Sequence, residues 1–194
     1  MTSDKETQLL DKLIPYRMRA VDTLKFALRF RSQWADAPSM TMHVAGKLIM
    51  ESNLNAFTNP AIEAGLVHCR ALLEFLGLNE RNNQLCQRGG RQPNDIGIEH
   101  FRNAGGPLKK VDPETALKRY DGKRVEAQEA LLAVFQLTNK GLAHITEHLT
   151  AHPESGSRLE IASRGVPVLV INYLYIPLGR PAPDYKMRSR PRDG

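Results

Sequence analysis

One ten-residue stretch carries the residue types best suited to chemistry. The segment NKGLAHITEH places Asn139, Lys140 and His144 within about one and a half helical turns of each other. A histidine that titrates near neutral pH can act as acid or base in RNA cleavage, and a neighbouring cation can stabilise phosphate charge. These three residues are therefore the candidate catalytic residues. The alternative is structural, because buried Asn and His side chains normally hydrogen-bond between helices.

The same stretch also contains the spacing of a metal site. His144, Glu147 and His148 form an H-x-x-E-H sequence, which on a helix places two imidazoles on one face with a carboxylate to activate water. Such a site needs a third protein ligand, and few acidic residues follow before the C-terminal tail. A zinc-dependent hydrolase is therefore an alternative function only, and we expect no bound metal and no other cofactor.

A further group of polar residues, on the strongest helical pattern of the chain, predicts structural ion pairs. Arg70 and Glu74 are four residues apart, which makes them neighbours on a helix surface. His68 and Arg70 point about 200° apart, so one of them should approach the core. A charged residue there needs a partner, which Asp95 or Glu99 in the following loop can supply, and the alternative is a histidine satisfied in the core.

Apolar residues recur at helical spacing over most of the chain. Residues 60–77 predict an amphipathic helix that has Pro60 in its first turn and stops at Gly77. Residues 14–34 predict a basic amphipathic helix, and residues 40–54 predict another. These patterns indicate helices throughout the first half of the chain.

The second half continues in the same way. Residues 79–95 are polar and contain a glycine pair and a proline, which predicts a loop. Asp112 followed by proline predicts a helix start, and Gly122 predicts a break before a long helix. Residues 166–176 are rich in β-branched and aromatic residues. They favour a kinked helix, since no second strand candidate could satisfy their backbone groups.

Together these elements predict an all-α fold. We expect one domain, a bundle of about five or six helices over residues 1–178, followed by a flexible basic tail at 179–194. The two cysteines are not in a CxxC spacing, the N-terminus lacks the pattern of a signal peptide, and the longest apolar stretch is too short to cross a bilayer. We therefore expect a cytoplasmic protein with reduced thiols and no membrane partner.

The net charge of +6 is concentrated in two parts of the chain. Residues 15–31 hold five basic residues against the single acid Asp22, and the C-terminal tail is also basic. Arg17, Arg19 and Arg29 are therefore candidates for a basic surface that contacts RNA or another polyanion. The alternative is a solvated helix face and a loose tail.

Three segments taken together resemble a known family. EAGLVHCRALLEFLG at 63–77, NDIGIEHF at 94–101 and TNKGLAHIT at 138–146 resemble, in this order, an uncharacterised bacterial family of helical proteins related to the HEPN superfamily. The resemblance covers roughly residues 60–175. It implies a helical bundle, a homodimer, and a nuclease motif in which an arginine and a polar residue precede a histidine.

The chain departs from that motif at the arginine. HEPN ribonucleases place it five to seven positions before the histidine, where this chain has Leu137, Thr138 and Asn139. The leading hypothesis is therefore a cytoplasmic HEPN-like protein that binds RNA or another polyanion, with weak or lost ribonuclease capacity. The alternatives are a non-catalytic homodimeric interaction protein and, less favoured, the zinc-dependent hydrolase.

Overall fold

The computed structural model describes residues 2–141 and 155–187. Its helices are α1 (Ser3–Gln8), α2 (Ile14–Arg31), α3 (Asn55–Leu76), α4 (Pro113–Leu117), α5 (Arg124–Gln136) and α6 (Ser155–Val170). Its strands are β1 (Ser39–Val44), β2 (Lys47–Asn53), β3 (Leu78–Arg81), β4 (Gln84–Gln87), β5 (Arg102–Asn103) and β6 (Gly106–Pro107). β1 pairs with β2, β3 with β4 and β5 with β6, and each pair forms an antiparallel hairpin. The prediction of an all-α helical bundle is therefore wrong, and the fold is α+β.

Residues 40–54, for which the sequence predicts a helix, form most of the hairpin β1–β2. Its turn residues Ala45 and Gly46 have φ values of 50° and 79°. A right-handed helix cannot contain this left-handed backbone, whereas a two-residue hairpin turn whose twist matches the strands requires it. Met42 lies opposite Met50, and a bulge follows in the register. The turn therefore decides the structure of this segment, and the helix prediction was wrong.

The predicted loop at 79–95 likewise contains most of a second hairpin, β3–β4. Asn82 and Asn83 have φ values of 54° and 58°, and asparagine tolerates this region better than most residues. Leu78, the first residue of β3, is fully buried and follows directly on α3. The hairpin therefore begins inside the core, directly after the end of α3.

Helix α3 begins at Asn55, so Pro60 lies inside the helix and not in its first turn. Its end is as predicted, since Gly77 adopts φ 92° and stops the helix. Along its length α3 packs against α2, and Gly65 allows the close approach. A Cβ added at Gly65 would lie 2.3 Å from the Cβ of Leu24.

The second half of the chain follows the predicted elements more closely. Asp112 caps α4, because its Oδ2 accepts a hydrogen bond from the backbone N–H of Thr115 at 2.9 Å. Gly122 lies in the break between α4 and α5. Residues 166–175 are helical, as expected, with Pro167 inside α6 and a π-helical turn at Ile171–Tyr175.

A single apolar cluster holds these elements together. Its fully buried members include Met18, Val21, Leu24, Cys69, Leu73, Val134, Phe135, Val166 and Leu174. The buried hydroxyl of Tyr175 donates a hydrogen bond to the backbone carbonyl of Leu10 at 2.6 Å. This bond ties the end of the α6 region to the N-terminal helices.

The described part of the predicted tail, residues 179–187, lies against the N-terminal helices. The backbone N–H of Met187 donates to the buried carboxylate of Asp22 at 2.7 Å. Arg180 pairs with Asp11 at 2.8 Å. Residues 188–194 lie outside the described part, and flexibility of the tail stays a prediction.

Candidate functional site

The structure gives Asn139 an arginine neighbour, which the sequence around Asn139 lacks. Asn139 is exposed on the π-helical turn Leu137–Gly141 that continues α5. The guanidinium of Arg70, on α3, donates a hydrogen bond to the Oδ1 atom of Asn139. The Nη1 atom of Arg70 also lies 3.5 Å from the hydroxyl of Thr138. His144 and the side chain of Lys140 lie outside the described residues, so their position relative to Asn139 stays a prediction.

Arg70 is also held by one acidic residue, Glu74, which it shares with a second arginine. Its Nε donates to Glu74 at 2.8 Å, as the i,i+4 spacing predicts. The other oxygen of Glu74 forms an ion pair with Arg88 at 2.9 Å, and Arg88 also lies 3.5 Å from Asp95. Since 34% of the Arg70 side chain is exposed, its guanidinium remains accessible to a ligand from solvent.

His68 and Arg70 both remain partly exposed because of where they lie on α3. The buried stripe of α3 runs through Leu66, Cys69 and Leu73. His68 and Arg70 lie at opposite margins of this stripe, and both are half-buried. The expectation that one of the two approaches the core was therefore wrong.

Asp95 and Glu99 pair with arginines from the loop region rather than from α3. Arg91 donates to Glu99 at 2.7 Å and to the backbone carbonyls of Glu74 and Phe75 at 2.9 and 3.0 Å. It thereby caps the C-terminus of α3. Burial alone would raise the pKa of Glu99, but the hydrogen bond from Arg91 and nearby positive charge hold that pKa below its ordinary value.

Cys69 has no chemical role in this arrangement. Its side chain is fully buried among apolar residues, and burial raises the pKa of the thiol far above its ordinary value. A thiol that does not ionise is a poor nucleophile. Cys69 therefore acts as a small core residue, as its place in the helical pattern indicates.

The three arginines of the predicted basic surface do not share one face. Arg17 contacts Nδ1 of His68 at 3.2 Å, Arg19 contacts the backbone carbonyl of Asp184 at 3.2 Å, and Arg29 pairs with Glu160 at 2.6 Å. These partners belong to α3, the C-terminal segment and α6 respectively. Because successive helical residues are rotated by about 100°, the three guanidinium groups point in three directions.

The described part of the chain contains neither a metal-binding cluster nor a membrane-spanning helix. Within residues 2–141 and 155–187, no group of three or more His, Cys, Asp or Glu side chains could hold a metal ion. The H-x-x-E-H stretch at 144–148 lies outside this part. None of the helices described here is both long enough and apolar enough to span a membrane.

Arg70, for which the sequence predicts a structural ion pair, is thus the arginine that contacts Asn139 of the predicted catalytic segment. The only signal for it in the sequence was the Arg70–Glu74 spacing, which indicates an ion pair but not a contact with a distant helix. Comparison of the chain with protein-family models, curated proteins and solved structures gives no match in any of the three.

Proposed function

We propose that this protein binds RNA or another phosphate-bearing polyanion at the surface formed by Arg70 and Asn139. The observation that carries the proposal is the contact between these two side chains, which sets a guanidinium beside an exposed amide. A guanidinium offers five N–H donors in a planar fork that matches phosphate oxygens. An amide donates to phosphate or sugar oxygens as well.

Glu74 modulates this site because its carboxylate occupies part of the same guanidinium. A phosphate that contacts Arg70 displaces the Asn139 oxygen first, since Glu74 is bound through Nε on the other edge. Arg88 then balances the charge of Glu74. We expect ribonuclease capacity to be weak or lost, because this arginine comes from another helix and is partly neutralised.

Fluorescence anisotropy with a labelled single-stranded RNA tests the proposal. Binding should weaken as salt rises, and Arg70→Gln should lower the affinity about tenfold and reduce the salt slope by about 0.7. Arg164→Gln, which removes an exposed charge from α6, should change the affinity little. Salt-independent binding, or equal affinities for the two variants, would contradict the proposal.

Cleavage is tested separately from binding. The His144→Ala variant and the wild-type protein are incubated with the same RNA, and the products are resolved on a gel. Cleavage that disappears with His144 would assign a residual ribonuclease activity to this segment. Equal background in both samples would leave the protein as a polyanion-binding module.

A second candidate function, a homodimeric interaction protein, is favoured by the hairpin β1–β2. Its end exposes Val44, Leu48 and Ile49 at 57%, 53% and 62%. Two-stranded hairpins are marginally stable in water, and grouped exposed apolar side chains are typical of contact surfaces. Sedimentation velocity should then show a dimer that Leu48→Thr with Ile49→Thr dissociates. A monomer at all concentrations would exclude this function.

A further inference from the structure

A cleft of about 340 Å³ opens beside the polyanion site, between the N-terminal helices, α3 and the loop at 91–96. This volume is in the range of small-molecule sites. Most of its wall is apolar and is formed by Leu9, Leu13, Ile14, Leu72, Phe75 and Ile96. A ligand of this cleft therefore needs a hydrocarbon body.

Arg17 supplies a positive charge at this cleft. Its Nη1 atom contacts Nδ1 of His68 at 3.2 Å, and the ring of Tyr16 packs edge-on against the same imidazole. A guanidinium can only donate, so Nδ1 of His68 accepts this hydrogen bond, and burial and the nearby Arg17 lower the pKa of His68. Arg17 is thus held in place by a partner that leaves its charge uncompensated.

The remaining charged residues of the cleft are already engaged. Glu74 is shared by two arginines, and Arg91 is bound to Glu99 and to backbone carbonyls. Asp95 accepts from Arg88 and from the backbone N–H of Gln92. By contrast, within the described part of the chain no carboxylate lies within 4.0 Å of Arg17. The cleft therefore has one unneutralised charge, and it is positive.

We propose that this cleft binds a small amphipathic monoanion, a carboxylate with an aliphatic body, whose head contacts Arg17. The Nη1 atom of Arg17 is occupied by His68, which leaves Nε and Nη2 to form the paired hydrogen bonds that a carboxylate accepts. The body lies on Leu13, Phe75 and Ile96. The exposed amide of Asn94, at the rim, is a further donor to the head group. This site goes beyond the polyanion function and does not depend on Arg70.

Isothermal titration calorimetry with three probes tests the chemistry of the ligand. Octanoate should bind, acetate should not because it lacks the body, and octylammonium should not because its charge is reversed. If octylammonium binds as well as octanoate, the cleft is a non-selective apolar surface and the proposal fails. If acetate binds as well as octanoate, the apolar wall contributes nothing, which also overturns it.

Variants then test the role assigned to each residue. Arg17→Gln should weaken octanoate binding at least about tenfold, whereas Arg164→Gln should leave it unchanged. His68→Phe keeps an aromatic ring but removes the atom that accepts from Arg17. Arg17 is then held less firmly, so octanoate binding should weaken by a smaller factor than in Arg17→Gln. The fold of each variant is checked by its thermal unfolding transition. Undiminished binding by a folded Arg17→Gln variant would overturn the proposal.

Discussion

The guanidinium of Arg70 and the side-chain oxygen of Asn139 are hydrogen-bonded although the residues stand 69 positions apart. One lies on α3 and the other on the turn that follows α5, so the contact forms only after the helices have packed. It supplies an arginine to a segment whose own sequence lacks one. The positive charge at this surface therefore depends on how the helices pack and on Glu74, whose carboxylate also binds Arg70.

Removal of the Glu74 carboxylate should strengthen polyanion binding. In Glu74→Gln, the carboxylate that competes with phosphate for Arg70 is replaced by a neutral amide, so RNA affinity at low salt should rise severalfold. Glu63→Gln removes an exposed negative charge from the same helix without touching Arg70 and serves as the matched control. Equal gains in the two variants would mean that only net charge matters.

Close approach of α2 and α3 should make Gly65 intolerant of any side chain. Gly65→Ala places a Cβ 2.3 Å from the Cβ of Leu24, so the helices must separate, and we expect a loss of about 1–3 kcal/mol in the free energy of unfolding. Gly165→Ala, in α6, meets nothing within 4 Å and should be neutral or stabilising by roughly 0.5–1 kcal/mol. Denaturant unfolding of both variants measures the difference. Similar stabilities would show that the interface is loosely packed.

Strong helical periodicity accounts for the parts of the fold that the sequence predicts well. Leu66, Cys69 and Leu73 form the buried stripe of α3, and Gly77 ends it in the conformation that glycine adopts most easily. Asp112 caps α4 in the predicted way. Each of these features depends on neighbours a few residues apart, which a single sequence displays.

The hairpins and the site were not predictable in the same way. The polar sequence around Asn82 and Asn83 predicts a loop, although two consecutive residues in the left-handed region also form a tight hairpin turn. Met42 and Met50 fit a helical pattern as well as a strand, and only the turn between them decides. The Arg70–Asn139 contact depends on how α3 and α5 pack, which no local spacing encodes.

Arg91 should be more important to stability than any exposed arginine. Its side chain is only 9% exposed, and it bonds Glu99 and two carbonyls at the end of α3. Arg91→Gln leaves these acceptors partly unsatisfied, so the free energy of unfolding should fall by about 2 kcal/mol. Arg102→Gln, on the exposed strand β5, is the control. Thermal and denaturant unfolding that are unchanged in Arg91→Gln would contradict this role.

Low pH should weaken the ion pair between Arg91 and Glu99. The pKa of Glu99 lies below its ordinary value of 4.5 in the folded protein, so its ionised form stabilises the fold above that value. This stability is lost as the pH falls through the lowered pKa of the folded state. The free energy of unfolding, measured from pH 6 down to pH 3, should fall less steeply in Glu99→Gln than in the wild type. Parallel curves would mean that Glu99 is not linked to folding.

The two thiols should report folding through their different reactivity. Cys69 is fully buried with a raised pKa, whereas Cys86 is half-buried on β4. A thiol must be both ionised and accessible to react with a disulfide reagent. Ellman's reagent should therefore modify Cys86 in the native protein and both cysteines in denaturant. In Cys86→Ser the native protein should show almost no reaction, and the rate at which Cys69 becomes modified then measures opening of the α2–α3 core. Rapid native modification of Cys69 in that variant would contradict the packing described for this helix pair.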